Sequence, residues 1–457
     1  MKILQVSHGF PPEQSAGTER YTWQVARALR QRGHDVTVFT RRADWRLPEY
    51  GVAEDTVDGM PVFRVNHTWR VCASFEDSYR HPAVADRFGE LLDRLRPDVI
   101  HVQHLVHLST RLPEEAARRK IPVVMTFHDY WFLCNQGQLL RRDGALCAEA
   151  VSGSCLDCAD LWLAVDSRLR RLLTALERWW PDLRYRASPL RGLVRPWFRW
   201  RHRQPARQAA MVRRMRARRE EMLRVAESIA IGLVPSRTLL DQLLALGLPR
   251  ERLRVLSYGS RAFDPPAPPR AVPGPLRAAF LGQVLPAKGV HVFLQAAERL
   301  AGQRAEFHCY GGPPPYGDVD GYAGRMRRHA AKLPHVRWHG AYAWEVLPAI
   351  LQQIDVVVVP SVWYENQPFV ILEAFAAGIP VVATNLGGMA ELVQDGRNGL
   401  LFPRADARAL AGCLERLAQD PGLLARLRQG VGGVKRMEDH TLELESIYAS
   451  ACHARNA

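Results

Sequence analysis

Two glutamates separated by seven residues, Glu365 and Glu373, stand out in the stretch WYENQPFVILEAFAAG. Paired carboxylates can act as general acid and general base across one scissile bond, as in glycoside hydrolases. Here Pro368 is predicted to be the first residue of a helix, with Asn366 or Gln367 as its cap. Glu365 then precedes the helix and Glu373 lies more than one turn inside it. The pattern therefore favours two groups that hold a ligand at different depths over an acid/base pair.

A carboxylate can accept hydrogen bonds from two adjacent sugar hydroxyls, because its two oxygens match the spacing of a diol. On this interpretation Glu373 binds a ribose and Glu365 binds a second sugar. The helix start, formed by Pro368, Phe369 and Val370, would present backbone N–H groups to a phosphate. The alternative is that Glu365 caps the helix and Glu373 is an exposed surface residue.

Three further loops contain residues suited to the same ligand. In FLGQVLPAKG, Gly282 and Gly289 bracket Lys288, and a lysine on such a loop can neutralise a diphosphate as it becomes the leaving group. In PPEQSAGTE, Gly17 allows the backbone to pass close to a phosphate or a sugar. His128 follows the apolar stretch PVVMTF. All these positions are predicted at the carboxyl ends of strands, where α/β sheets bind ligands.

The elements that must position these groups alternate between strand and helix. In the first half, the predicted helices are RYTWQVARALRQRG, RLPEEAARRK and RTLLDQLLALGLP, and the predicted strands are KILQVS, HDVTVFT, PDVIHVQ, IPVVMTF, IAIGLV and RLRVLSYG. Short apolar strands that alternate with helices predict buried parallel sheets.

The alternation restarts after a proline-rich segment. Residues 261–275 contain six prolines, which neither pair in a sheet nor continue a helix, so this segment is the predicted linker. The predicted domains are residues 1–260, with a cysteine- and arginine-rich insert at about 131–225, and residues 276–457, whose last helix returns to the first domain. The fold class is α/β, with two doubly wound Rossmann-like domains that face a cleft.

These groups, in this order and spacing, resemble the retaining glycosyltransferases of the GT-B fold, family 4. The resemblance covers nearly the whole chain, from QVSHGFPPEQSAGTERYTW to GGMAELVQDGRNGLLFPRADARALA. Its most specific element is the spacing of Glu365 and Glu373, followed by AFAAGIPVVATNLGG. The resemblance implies the GT-B fold and the transfer of a sugar from a nucleotide-diphosphate donor.

The resemblance also implies roles for individual residues. Lys288 would bind the donor diphosphate, Glu373 the ribose, Glu365 the donor sugar, and His128 the sugar near the reaction centre. The loop of Gly17 would contact a phosphate or the acceptor. The expected catalytic residues are thus His128, Lys288 and Glu365.

The full expected donor-binding set comprises Gly17, Gly282, Gln283, Lys288, Glu365, Asn366, Gln367, Pro368, Phe369, Val370 and Glu373. One departure from the family pattern concerns Gln283, since the family usually has an arginine there. A second cation on the diphosphate is then missing, and Lys288 or the arginine-rich insert would have to compensate.

The implied reaction retains the configuration of the anomeric carbon without a protein nucleophile and requires no metal cofactor. Lys288 and the helix dipole would assist departure of the diphosphate, and the acceptor hydroxyl would attack the same face. The expected acceptor is a glycan or a polyprenyl-linked sugar in cell-surface polysaccharide biosynthesis. Two rival functions are a nucleotide-sugar epimerase of the same fold and a catalytically silent binding protein.

Four cysteines, Cys134, Cys147, Cys155 and Cys158, follow the loop of His128 and end in a C-x2-C pair. Such thiolates could bind zinc or an iron–sulfur cluster, although their spacing matches no standard zinc finger, and reduced packing thiols are the alternative. His101, His104 and His107 recur at every third residue, which does not align them on one face of a strand.

The net charge of +15 has a local origin. Residues 168–219 contain seventeen arginines and two acidic residues, so this segment carries the whole excess. Its tryptophans, Trp179, Trp180, Trp197 and Trp200, favour binding to an anionic membrane surface or a lipid-linked acceptor. Packing of a solvated basic helix pair and RNA binding are the alternatives; the prediction is of no nucleic-acid partner. With neither a signal peptide nor an apolar span, the expected location is the cytoplasm, at the inner face of the membrane.

Overall fold

The computed structural model describes residues 1–14, 16–72, 74–148, 151–152, 155–158, 204–260, 274–314 and 321–456. The chain divides into two compact units. The first unit contains residues 1–234, 240–255 and 441–457, and the second contains residues 235–239 and 256–440.

The first unit is built on eight strands, which are β1 (Lys2–Ser7), β2 (Asp35–Arg42), β3 (Val52–Val57), β4 (Met60–Asn66), β5 (Val99–Val102), β6 (Val123–Thr126), β7 (Ile231–Val234) and β8 (Leu253–Val255). Their order in the sheet is β3-β4-β2-β1-β5-β6-β7-β8. Every neighbouring pair is parallel except β3 and β4. Helices cover the faces of parallel sheets, and the central strands β1 and β5 are accordingly buried almost throughout.

The described helices that begin before residue 240 are α1 (Gly17–Gln31), α2 (Pro82–Leu95), α3 (Leu112–Arg118), α4 (Cys155–Cys158), α5 (Pro205–Glu227) and α6 (Arg237–Leu246). Helix α1 buries Tyr21, Val25, Ala26 and Leu29, whose spacing places them on one face. Helix α2 begins with a proline in its first turn, where the missing N–H has no cost.

The second unit is built on six strands, which are β9 (Leu276–Leu281), β10 (Ala305–Tyr310), β11 (Val336–Gly340), β12 (Val356–Val359), β13 (Val381–Thr384) and β14 (Gly399–Phe402). Their order is β11-β10-β9-β12-β13-β14, and all neighbouring pairs are parallel. The four valines of β12 are fully buried, as expected for a central strand covered on both faces.

The remaining helices are α7 (Val290–Arg299), α8 (Tyr322–Ala330), α9 (Leu347–Leu351), α10 (Phe369–Ala376), α11 (Gly387–Leu392), α12 (Ala407–Gln419), α13 (Pro421–Gly430) and α14 (Met437–Asn456). Residues 441–456 of α14 belong to the first unit. There Tyr448 is fully buried, and Arg32 and His34 both contact Glu445.

The alternation of strands and helices predicted two parallel α/β sheets, and the structure confirms this fold class. One antiparallel element is absent from the prediction, namely the hairpin of β3 and β4. Asp58 and Gly59 form its turn with φ of 49° and 73°, and two positive φ values in succession are typical of the tight turns that join antiparallel strands. The Asp-Gly pair is the sequence signal for this hairpin. In the second half of the chain, the stretch AWEVLPAILQQ has the apolar spacing of one helix. The structure instead has a 3-10 turn there, Trp344–Val346, followed by α9.

Two predicted segments lie largely outside the described residues. Within the arginine-rich insert, residues 159–203 are not described, and these include all four tryptophans of the predicted lipid-binding segment. Of the predicted linker, residues 261–273 are not described. Within the described ranges, no helix combines the length and the apolar character that a membrane crossing requires.

Candidate active site

In the second unit, two loops at the carboxyl edge of the sheet meet at Gly289. Lys288 ends the 3-10 turn Pro286–Lys288 that follows β9, and Gly289 comes next with φ of 72°. A Cβ atom at Gly289 would lie 1.8 Å from the carbonyl oxygen of Pro360, which follows β12. Only glycine permits both this φ and this approach, so Gly289 brings the lysine loop against the loop that contains Glu365.

The centre of this arrangement is an ion pair between Lys288 and Glu365. Lys288 Nζ lies 2.7 Å from Glu365 Oε1. The same oxygen accepts hydrogen bonds from Ser361 Oγ at 2.8 Å and from Trp363 Nε1 at 2.9 Å. The Lys288 ammonium group also lies 5.6 Å from the centre of the Trp363 ring. Three donors therefore fix the orientation of one buried carboxylate.

Glu365 is 6% exposed, and no side chain caps α10 through a hydrogen bond, so the alternative in which Glu365 caps the helix is wrong. All three contacts are made to Oε1, and within the described part of the chain no donor contacts Oε2. Lys288 is about one third exposed, and its ammonium group has three N–H donors of which Glu365 uses one. The pair can thus offer both an acceptor oxygen and a cation to a bound molecule.

Helix α10 begins one residue later than predicted. Pro368 is its N-cap residue and Phe369 its first residue, with no side chain as hydrogen-bonded cap. Phe369 and Val370 are half-buried in the first turn. The first turn consequently retains backbone N–H groups that no side-chain cap occupies, which is the feature that favours an anion near a helix start.

The predicted capping role of Asn366 or Gln367 is wrong, because other groups engage both side chains. Asn366 Oδ1 accepts a hydrogen bond from Ser236 Oγ at 3.4 Å. Gln367 Oε1 accepts one from the backbone N–H of Tyr258 at 2.5 Å. Both amides are buried, and they anchor the loop that precedes the helix.

Glu373 lies in the second turn of α10 and is half-buried. Its Oε1 accepts a hydrogen bond from Trp344 Nε1 at 3.0 Å. The carboxylate is thus oriented by an indole and is not a freely solvated surface group. The prediction that Glu373 lies more than one turn inside the helix is confirmed.

Two further features of this site could not be assigned from sequence. A Cβ atom at Gly388 would lie 1.3 Å from the carbonyl oxygen of Asn366, and the Gly388 N–H donates to the carbonyl of Glu365 at 2.7 Å. The Gly-Gly pair that begins α11 is its only sequence signal. Arg404 Nε donates to the carbonyl of Val362 at 2.7 Å, which places a second cation beside the loop of Glu365.

Gly282 and Gln283 follow β9 directly. Gly282 has φ of 142°, and its carbonyl oxygen would lie 1.9 Å from a Cβ atom at Gly311. Gln283 is half-buried on the same loop. The loop is thus closely packed against the end of β10, and Gln283 supplies no charge to it.

In the first unit, the loop after β1 leads into α1 at Gly17, the first residue of that helix. His8 is the first residue of this loop, and its Nε2 atom lies 3.2 Å from Glu19 Oε1. Burial raises the pKa of Glu19, but the charge and the hydrogen bond of His8 outweigh it and lower the net pKa. Glu19 is therefore a buried anion, and the sequence analysis did not identify it.

His128 belongs to a buried polar network that extends across three strands. His128 Nε2 contacts Gln103 Oε1 at 2.9 Å. Gln103 Nε2 in turn donates to Gln5 Oε1 at 2.9 Å and lies 3.1 Å from His101 Nδ1. His101 Nδ1 lies 2.6 Å from the hydroxyl of Tyr448 in α14. His128 is half-buried at the end of this network, so the network holds its ring at the carboxyl edge of the sheet.

A second pair lies at the same edge. The backbone N–H of Val106 donates to His104 Nδ1 at 2.9 Å, so Nε2 carries the proton that faces Asp129 Oδ2 at 3.2 Å. The rings of His8 and His104 are 4.8 Å apart. His101, His104 and His107 thus have separate surroundings, and within the described residues they do not form a set of metal ligands.

The four cysteines of the predicted metal site gather around α4. The bridge between Leu140 and Leu146 forms a short hairpin before Cys147. Burial raises the pKa of Cys158 to about 11, and the neighbouring thiols of Cys134, Cys155 and Cys147 add to this effect. Among the described residues, no three of these sulfurs lie within 4.8 Å of one another. A metal at this cluster stays a prediction.

The chain matches two families of known proteins and shares its fold with solved structures. The family described as Glycosyltransferase Family 4 matches residues 15–187, and the family described as Glycosyl transferases group 1 matches residues 275–420. Two solved structures share the fold over nearly the whole length. Sucrose-phosphate synthase from Thermosynechococcus elongatus has a TM-score of 0.65 at 18% identity, with 99% of each chain covered. HepE of Anabaena in complex with UDP and glucose has a TM-score of 0.63 at 16% identity, with 98% of this chain and 100% of HepE covered.

The chain therefore belongs to the group 1 glycosyltransferases and has the GT-B fold. Among curated relatives, the amylovoran biosynthesis glycosyltransferase AmsK of Erwinia amylovora is 29% identical over 192 residues. That match covers 40% of this chain and 46% of AmsK. The chain thus spans about a third to a half of the length of the curated relatives that it matches.

Proposed function

We propose that this protein transfers a sugar from a nucleotide-diphosphate donor to a glycan or lipid-linked acceptor, with retention of configuration. The observation that carries the proposal is the contact between Lys288 and Glu365, in which a partly exposed cation and a buried, oriented carboxylate share one edge of the second sheet. A sugar diphosphate needs both groups. The cation balances its phosphates, and the carboxylate accepts from its hydroxyls.

In the proposed reaction, the bond between the anomeric carbon and the diphosphate oxygen breaks, and the electron pair leaves with the diphosphate. Lys288 Nζ stabilises the negative charge that develops on the leaving group. The acceptor oxygen forms its bond to the same face of the anomeric carbon, and its proton passes to the departing diphosphate. Glu365 and Glu373 hold hydroxyls of the sugar and of the ribose, so neither needs to exchange a proton.

His128 has a different part in the proposal. Its Nε2 atom is bound by Gln103, and Tyr21 packs edge-on against its ring at 5.1 Å. An imidazole ring held in a fixed orientation suits a directed hydrogen bond to a sugar hydroxyl. We assign His128 to the sugar near the reaction centre and the loop of Gly17 to a phosphate or the acceptor.

The relatives support a uridine nucleotide donor and a role in polysaccharide biosynthesis. HepE binds UDP and glucose, and AmsK is named for amylovoran biosynthesis. The arginine- and tryptophan-rich segment supports a lipid-linked acceptor at an anionic membrane surface. Flotation with anionic vesicles, weakened by salt, tests that part separately. Recovery of the protein in the vesicle-free fraction at low salt would contradict it.

The decisive experiment is a panel of nucleotide sugars. A donor that binds the native state raises the melting temperature by mass action, and this shift should be smaller in Lys288→Met. With the best donor and a polyprenyl-diphosphate-linked sugar, product analysis by NMR should show the anomeric configuration of the donor. An inverted product would contradict retention, and free nucleotide release without glycoside formation would contradict transfer.

A further inference from the structure

A second group of reactive side chains lies in the loop between β4 and α2. His67 follows β4 directly, Cys72 lies in the loop, and His81 is the N-cap residue of α2. Their exposed fractions are 0%, 8% and 3%. Two imidazoles and a thiol, all buried, thus join the two ends of a loop whose regular structure is one 3-10 turn, Glu76–Ser78.

The spacing of the three side chains fits a shared ion. One potential ligand atom from each residue lies within 4.8 Å of the other two. Cys72 Sγ and His67 Nε2 are 3.8 Å apart. Zn–S and Zn–N bonds in a tetrahedral site place the two ligand atoms about 3.6 Å apart. An ion can therefore enter if the distances between the ligand atoms shorten by at most about 1.4 Å.

The tautomer of His67 is also the one that a metal requires. His67 Nδ1 lies 2.9 Å from the carbonyl oxygen of His107, and a carbonyl can only accept, so Nδ1 carries the proton. The lone pair of Nε2 then faces Cys72. A backbone carbonyl that binds the second nitrogen of a histidine is the usual outer-shell support of a metal ligand.

His81 has a buried ring nitrogen whose hydrogen-bonding capacity is not satisfied. Its ring centre lies 4.1 Å from that of His67, and its Nε2 atom is buried without a hydrogen-bond partner in the described part of the chain. A buried polar atom that lacks a partner is costly, and buried histidine nitrogens are normally satisfied. A bound cation would satisfy this one.

We propose that His67, Cys72 and His81 bind a Zn²⁺ ion, with water as the fourth ligand. A mixed nitrogen and thiolate set favours zinc over the hard cations calcium and magnesium. Cys72 loses its proton to solvent on binding, and its thiolate offsets one charge of the ion. Arg41, whose Nε donates to the His67 carbonyl at 2.7 Å, and Asp77, whose carbonyl lies 3.7 Å from Cys72 Sγ, are the charged neighbours. The ion ties the start of the loop to the start of α2.

Metal analysis of the purified full-length chain tests the proposal. After dialysis against a chelator and addition of zinc, Cys72→Ser and His81→Gln should each hold about one equivalent less zinc than the wild type. Cys452→Ser, in the same unit, is the matched cysteine control and should hold the wild-type amount. Cys155→Ser shows separately how much zinc the four-cysteine cluster binds.

Cobalt offers a second readout on the same samples. Co²⁺ in place of zinc should give a thiolate charge-transfer band that weakens in Cys72→Ser and persists in Cys452→Ser. Circular dichroism identifies a variant that does not fold, and the decision then rests on the other variant and on X-ray absorption of the wild-type zinc. Equal zinc in the wild type and in a folded Cys72→Ser or His81→Gln overturns the proposal, as does a zinc shell of sulfur alone. Either result would mean that Cys72 and His67 form a hydrogen-bonded pair that binds no metal.

Discussion

The two units present different chemistry at the same place on a similar sheet. At the carboxyl edge of the second sheet, Lys288 and Glu365 form an ion pair with three donors on one oxygen. At the carboxyl edge of the first sheet, His128 ends a hydrogen-bonded network of amides, an imidazole and a tyrosine hydroxyl. One edge is organised around a lysine–glutamate ion pair, and the other around a hydrogen-bonded network of amide, imidazole and hydroxyl groups.

This difference predicts that the second unit binds the diphosphate of the donor and that the first unit orients sugar hydroxyls. A cation in a partly buried position attracts a diphosphate much more strongly than it attracts a hydroxyl. A network of amide, imidazole and hydroxyl groups orients sugar hydroxyls through directed hydrogen bonds. The comparison predicts that changes in the second unit alter donor affinity and leaving-group departure, while changes in the first unit alter the transfer step.

The largest expected effect is that of Lys288→Met. The variant lacks the cation that stabilises the departing diphosphate, so kcat should fall by about 10²–10³-fold. Steady-state kinetics with the best donor measures this, and Lys332→Met, an exposed lysine of the same unit, is the matched control. Glu365 would also lose its cation, so the double variant Lys288→Met/Glu365→Gln should recover stability without recovering activity. Wild-type kcat in the single variant would remove Lys288 from the site.

His128→Ala should lower kcat by about 10–100-fold and leave the donor KM nearly unchanged. The comparison variant is Tyr448→Phe, which removes only the far end of the network and should cost about 1 kcal/mol of the free energy of unfolding. Kinetics and urea unfolding of both variants separate the two effects. A rise in donor KM without a change in kcat would assign His128 to donor binding instead.

Glu373→Gln should raise the donor KM about tenfold with little change in kcat, because a charged acceptor on a ribose contributes to ground-state binding. Trp344→Phe removes the indole donor to this carboxylate and should have a smaller effect in the same direction. Glu345→Gln is the control, since Glu345 is exposed one residue away from that indole. An unchanged KM in Glu373→Gln would contradict the assignment to ribose.

The last prediction concerns the acid stability of the second unit. Burial lowers the pKa of His308 to about 4 and that of His440 to about 3, so both are neutral in the folded protein. Unfolded histidine takes up a proton near pH 6.5. The free energy of unfolding should therefore fall as the pH drops from about 6.5 towards 4, by up to about 1.4 kcal/mol per pH unit for each group.

Urea unfolding at several pH values measures this slope in the wild type and in His440→Gln. The variant lacks one of the two histidines, so the slope of its free energy of unfolding against pH should be smaller by up to about 1.4 kcal/mol per pH unit. Identical slopes would show that His440 does not contribute.

Much of the fold could be predicted because buried parallel strands leave a strong pattern. The apolar run KILQVS predicted β1, and the helical spacing of RYTWQVARALRQRG predicted α1. The hairpin of β3 and β4 was absent from the prediction, although its Asp-Gly turn marks it. The start of α10 was predicted within one residue, but the capping roles of Asn366 and Gln367 were wrong, because their partners Ser236 and Tyr258 are more than a hundred residues away in the chain.

The sequence by itself determined the α/β class, the family and the positions of Lys288, Glu365 and Glu373 on loops or helix starts, because local spacing and strand ends fix those features. Only the tertiary structure decided that Lys288 and Glu365 touch, that an indole orients Glu373, and that His128 is linked to a tyrosine in the last helix. The physical reason is that these contacts join residues far apart in the chain. Their geometry depends on how the strands pair and on close backbone approaches, such as those at Gly289 and Gly388, that spacing along the sequence does not encode.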